Sequence, residues 1–291
     1  MDELMHIALH VVEHAVEDTL RLVPFLFLTY LAMEAIEHKA GEKAEAAVQR
    51  AGKAGPLVGA LLGVIPQCGF SAAASTFYAG RVITVGTLLA VFLSTSDEMV
   101  PIFIAEQVPV PFMAGVLVAK MVIAMVAGLG VDFILRRLRR DGDHRLHIHD
   151  LCEQEHCACE EHSSILGSAV RHTLQVTLFI FLVTLALGAV IELVGEDALA
   201  SFMSASPVLS VLASAVVGLI PNCAASVAIT QLYLEGALGF GAMLAGLLVS
   251  SGVGMLVLFR TNRPLKRNFA IVGALLAVGV CCGVVLTLLG F

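Results

Sequence analysis

Apolar residues in this chain come in long blocks, at 20–37, 56–80, 82–104, 111–135, 173–194, 207–234, 238–259 and 268–290. Crossing a bilayer as a helix takes about 20 apolar residues, so most of these blocks predict membrane-spanning helices. Two of them are interrupted in the same way. The first carries Gly63-Val64-Ile65-Pro66-Gln67-Cys68 and the other Gly218-Leu219-Ile220-Pro221-Asn222-Cys223, 155 residues later. At that offset Ser71 pairs with Ser226, Tyr78 with Tyr233, Gly86 with Gly241, Ala90 with Ala245, Thr29 with Thr184 and Glu37 with Glu192. Proline removes a backbone donor and frees the carbonyl one turn earlier. A repeated Pro-amide-Cys break inside apolar sequence therefore predicts two related halves whose broken helices expose backbone at membrane depth, as in transporters built from internal repeats.

Composition agrees. The chain is 58% hydrophobic and 14% charged, with a mean hydropathy of +0.91, whereas a soluble domain carries about 25% charged residues. No cleavable leader is expected, because residues 1–18 are acidic and His-rich instead of basic and then apolar. His6, His10 and His14 share one helix face beside Glu13 and Glu17, which suits either a metal or an amphipathic helix on the membrane surface.

Basic residues fix the expected topology, since Lys and Arg gather on the cytoplasmic side. They cluster at Lys39, Lys43, Arg50 and Lys53, at Arg136, Arg137, Arg139, Arg140 and Arg145, and at Arg260, Arg263, Lys266 and Arg267. All three clusters share a side only if 56–80 and 207–234 are re-entrant hairpins, the first entering from the cytoplasm and the second from outside. The expected fold is thus an all-α polytopic membrane protein of two inverted repeats, each with about three spanning helices and a Pro-broken hairpin. Its parts are an N-terminal segment (1–18), repeat 1 (19–135), a cytoplasmic His/Cys-rich loop (136–168) and repeat 2 (169–291), with both termini external and the cytoplasmic membrane as its location. The plainer reading, in which Pro66 and Pro221 only kink ordinary spans, leaves a basic cluster outside.

Several groups are candidates for chemistry. Gln67, Cys68, Asn222 and Cys223 bring amide, thiol and bared carbonyl to the two tips. Thiolates favour soft cations and oxygen donors hard ones, although buried cysteines also serve as small apolar fillers; Cys281 and Cys282 read as fillers. Ser94-Thr95-Ser96-Asp97-Glu98 stands inside an apolar block, and carboxylates there are costly unless functional. Asp97 and Glu98 could bind a cation, exchange protons or both, or stand in an interfacial loop. The matching segment of the second half keeps the hydroxyls Ser250 and Ser251 but has no acid. Lys120 lies within the fourth block and needs a counter-ion, Asp97 or Glu98 being nearest in kind. With Glu37 and Glu192 it forms a candidate coupling set.

The central loop offers His144, His147, His149, Cys152, His156, Cys157, Cys159 and His162, a tract able to chelate transition metals. Its spacing matches no closed zinc module; as a solvated linker it would bind nothing. Motifs of ATP-driven pumps, zincins and serine hydrolases are absent. The chain is therefore expected not to be an enzyme and to need no cofactor beyond a transported ion. Its expected partners are a transition-metal ion and the bilayer, without nucleic acid, and a homo-oligomer is compatible with this.

Residues 59–98, with the IPQCGFS and STSDE strings, the GLIPNC break and the His/Cys-rich loop, resemble the family of ten-span heavy-metal exporters, also described as manganese transporters or grouped with arsenic-efflux permeases. The resemblance implies metal or metalloid efflux. Together these readings predict a secondary exporter of divalent transition-metal ions, Mn²⁺ or another heavy metal, coupled to proton entry, with Cys68, Gln67, Asn222, Cys223, Ser94, Ser96, Ser250 and Ser251 around Asp97 and Glu98. The alternatives are an arsenite or organoarsenical permease using the thiols, a passive metal channel, and a membrane redox or metal-sensor protein.

Overall fold

The computed structural model describes residues 54–66, 68–96, 99–138, 165–194 and 206–290, together with helical positions between 12 and 31. All regular structure among these residues is helical. After the helical positions between 12 and 31, the first half contains α1 (Gly55–Gly63), α2 (Cys68–Ala79), α3 (Val85–Ser94), α4 (Met99–Ala105) and α5 (Val110–Leu138). Then come α6 (Ile165–Val194) and five more: α7 (Pro207–Gly218), α8 (Cys223–Leu234), α9 (Phe240–Val249), α10 (Val253–Thr261) and α11 (Leu265–Leu288). Among the described residues, four stretches are long and apolar enough to cross a membrane, Val85–Ala105, Val110–Leu138, Phe240–Thr261 and Leu265–Leu288. The protein is a polytopic, helical membrane protein.

The 155-residue offset governs the backbone as well as the sequence. Helices α2 and α8 begin and end at matched positions, as do α3 and α9, while α5 and α11 begin together. Even the turns agree. After α2, Val82 N–H donates to Phe77 O (2.8 Å) and Arg81 N–H to Tyr78 O (3.0 Å); after α8, Ala237 N–H donates to Leu232 O (2.9 Å) and Gly236 N–H to Tyr233 O (3.0 Å). This is a left-handed helix-ending motif, and it needs positive φ at Arg81 (61°) and Gly236 (78°).

The structure differs from the sequence reading in one respect. The blocks 82–104 and 238–259, expected as unbroken spans, are each two helices. The first is interrupted between Ser94 and Met99, the second between Val249 and Val253. In the second, Ser250 is extended (ψ 96°) and Gly252 takes φ 52°, ψ −142°, a region open only to glycine at little cost.

The interrupted span Phe240–Thr261 is buried over 94% of its apolar window, whereas Val110–Leu138 and Leu265–Leu288 are buried over only 22%. The broken spans therefore make the centre, and α5 and α11 face lipid. Along α5 the inward ridge is Val116, Lys120, Ala124, Gly128 and Asp132. Along α11 it includes Ile271, Leu275, Gly279 and Gly283. A four-residue step keeps one helix face inward.

Each inward ridge meets its partner backbone to backbone. A β-carbon on Gly86 would strike Gly128 O, and one on Gly128 would strike Gly86 O; the matched pair Gly241 and Gly283 behaves the same way. At the first crossing Asp132 accepts hydrogen bonds from Thr84 Oγ1 (2.6 Å) and Gly86 N–H (2.8 Å), so a buried carboxylate caps the start of α3. The halves join where α3 packs on α9 and by a reciprocal exchange, α2 against α10 and α8 against α4. Tyr30 and residues of α6 pack outside the α2–α10 pair.

Candidate functional site

Four helix breaks define the site's surroundings. At the second tip Pro221 ends α7, whose last residues tighten through Leu219 N–H to Val216 O (3.1 Å) and Ile220 N–H to Val217 O (2.9 Å). Asn222 then turns extended, and its Oδ1 accepts from Ala224 N–H (3.0 Å). This side-chain amide thus caps α8, satisfying a donor that the helix start leaves open. At the first tip α1 likewise ends before Pro66 and α2 starts at Cys68.

Three of these breaks, all but the one at Pro66, supply walls to one cavity with about 290 Å³ not filled by protein atoms, some of it open to solvent. Its walls are Thr95 and Ser96 after α3, Met99 at the start of α4, Cys223 and Ser226 in the first turn of α8, Leu247 and Ser250 at the end of α9, and Gly252. Its enclosed part has room for about one water molecule, so the space suits a single ion. C-terminal ends of α3 and α9 meet N-terminal ends of α8 and α10 here, placing partial charges of both signs around the space.

Lys120 reaches this junction from α5. It is fully buried, and its Nζ donates to Thr95 O and to Leu247 O (2.9 Å). Both acceptors belong to cavity-wall residues, one from each half. An ammonium at the carbonyl ends of two helices complements their dipoles, and the contact ties α3 to α9. The matched position in α11 is Leu275.

The sequence candidates fall into three groups. Ser96, Cys223 and Ser250 line the cavity. Ser94, Asn222 and Ser251 are buried near it but not among its walls. Ser94 Oγ turns back to Ala90 O (2.8 Å) and packs where α1 passes at Gly63; Ser251 Oγ has no hydrogen-bond partner among the described residues. Gln67, Asp97, Glu98, Glu37, His6, His10, His14 and the central-loop ligands His144, His147, His149, Cys152, His156, Cys157, Cys159 and His162 lie outside the described residues. For Cys68 and Glu192 only the helix is described. Among the described residues no three His, Cys, Asp or Glu side chains gather, and Cys223, Cys281 and Cys282 are in no disulfide.

Sequence reasoning passed over Thr95, Met99, Ser226 and Leu247 in the walls, and Asp132 at the α3 cap. Ser226 was visible as the repeat partner of Ser71. Asp132 carried the signal of an ionisable residue in an apolar run. Met99 and Leu247 carried none, since apolar residues in apolar blocks look alike until the chain is folded.

Residues 160–290, a little under half of the chain, match the model of a family described as "Putative, 10TM heavy-metal exporter". The resemblance drawn mainly from the first half is thus supported from the second. No curated protein and no solved structure matches the chain.

Proposed function

We propose that this chain, whose second half matches a heavy-metal exporter family, is a secondary exporter of divalent transition-metal ions such as Mn²⁺. Proton entry drives it, and the cavity is its substrate site. The observation that carries this reading is the convergence of interrupted helices from both halves on one small polar space. Interrupted spans at repeat interfaces are where transporters bind their cargo, the bared carbonyl ends taking cations. Membrane-depth breaks are tolerable only against protein or a wet cavity.

In this reading the halves are inverted, and the loop at 136–168 gathers cytoplasmic metal through its His and Cys side chains. Asp97 and Glu98, in the link between α3 and α4, bind the ion or trade it for protons. Ser96 and Ser250 supply hydroxyl oxygens, and Gln67, Cys68, Asn222 and Cys223 shape the tips. Lys120 is the coupling cation: losing its hold on Thr95 or Leu247 would let α3 and α9 separate. Glu37 and Glu192 complete the coupling set at matched positions, where the first apolar block of each repeat ends.

A second reading, arsenite or organoarsenical efflux, is favoured by Cys223, whose thiol stands among neutral walls. Flux in proteoliposomes separates the two. Mn²⁺ movement that follows an imposed pH gradient and disappears in Asp97→Asn is the expected result. Arsenite movement that survives Asp97→Asn and fails in Cys223→Ser would replace it.

A further inference from the structure

Two residues that carry sulfur of different chemistry, Met99 and Cys223, belong to the cavity walls, and they come from opposite halves. Met99 opens α4 and Cys223 opens α8, and these two helices pack against each other. Met99 is 1% exposed, so its thioether is held inside the protein next to the cavity. The remaining polar walls named above are hydroxyls. Thioether sulfur is a neutral, polarizable donor with little affinity for hard ions such as Mn²⁺, while thiolate and thioether together select soft d¹⁰ ions such as Cu⁺. Met99 also belongs to the hydrophobic core, so its side chain combines packing with a place at the cavity wall.

We infer that Met99 and Cys223 form a soft-metal site that binds Cu⁺ or Ag⁺ across the α4–α8 seam. The ion displaces the Cys223 thiol proton, which leaves to water; one S–H bond breaks, two S–metal bonds form, to the Cys223 thiolate and the Met99 thioether, and no electron is transferred. Because one ligand comes from each half, occupancy would draw α4 toward α8. The assignment adds a soft monovalent ion to the divalent ions proposed above as cargo, and it rests on the export reading only for transport, not for binding.

The test uses the full chain with Cys152, Cys157 and Cys159 changed to serine, so that the loop does not compete for metal through its thiols. Cu⁺ affinity is measured by competition with a chromophoric chelator, and Cu neighbours by X-ray absorption. The expected result is bound Cu⁺ with two sulfur neighbours. Loss of an outer-shell partner alone costs about 10–100-fold in metal affinity, so Met99→Leu should weaken binding by more than about tenfold and remove one sulfur. Cys223→Ser should remove the other, and Met99→Cys should restore two. Selenomethionine labelling of the otherwise unaltered chain carries no folding risk and should place selenium beside copper. No selenium neighbour, or unchanged affinity in a stably folded Met99→Leu, overturns the site. If Cu⁺ binds as expected but no ion crosses proteoliposomes, the site stands and the export reading falls. If Mn²⁺ crosses equally well in Met99→Leu and selenium stays away from copper, export stands and the site falls.

Discussion

The two seams that exchange helices between the halves are built from matched residues, yet one is tight and the other contains the cavity. In the α2–α10 seam, a β-carbon at Gly254 would lie 2.6 Å from Ser71 Cβ, and Ser75 Oγ donates across to Gly254 O (2.6 Å). In the α8–α4 seam the residue matching Gly254 is Met99, and Ser226 and Thr230 stand for Ser71 and Ser75. Thr230 Oγ1 donates only within its own helix, to Ser226 O (2.7 Å), and both Met99 and Ser226 face open space. The repeat alone does not decide where a cavity forms. At the matched position, glycine accompanies the seam where two backbones meet and methionine the seam that holds the cavity, which makes Met99 the candidate prop.

Removing the prop should have the largest effect. Truncating a buried methionine costs about 2–5 kcal/mol, so Met99→Ala should lower the thermal midpoint in detergent. In a chain whose other six cysteines are serine, Cys223 should also react more slowly with a small maleimide as the seam closes; faster reaction would show that Met99 merely fills space. Wedging the tight seam comes next. Gly254→Ala forces a methyl into Ser71, overpacking of the sort that costs about 1–3 kcal/mol, and an unchanged midpoint would refute the close approach. The smallest effect tests the crossing bond. Ser75→Ala should cost about 1 kcal/mol, the net worth of one hydrogen bond, and more than Thr230→Val, which removes a hydroxyl bonded only within its own helix. Equal losses would mean that the two seams are alike.

Much of this was legible in the sequence, and what was not has a common cause. The Pro66 and Pro221 breaks and the start of α8 at Cys223 follow from local chemistry, because proline and a capping amide act within a few residues. The interruption of the third and seventh blocks was less legible. Ser250-Ser251-Gly252 is short, and its glycine is needed for a φ of 52° that no hydropathy pattern reveals. Lys120 could be singled out as a buried charge, but two of its acceptors are main-chain carbonyls, of Thr95 and Leu247, which every residue possesses. Likewise Ser94 and Ser96 look equivalent in sequence, yet one faces α1 and the other the cavity. Which hydroxyl faces which space depends on helix rotation, a tertiary quantity.

The glycine crossings have a mechanical consequence. Where Gly86 meets Gly128 and Gly241 meets Gly283, main chain touches main chain with no layer of side chains between. Sliding past a neighbour ordinarily proceeds by rotamer changes, and here there are no rotamers to change. Helix α3 must then travel with α5, and α9 with α11, as two welded struts, each delivering one broken end to the cavity. Any displacement of one half against the other is concentrated where the struts touch, with Lys120 lying across the joint.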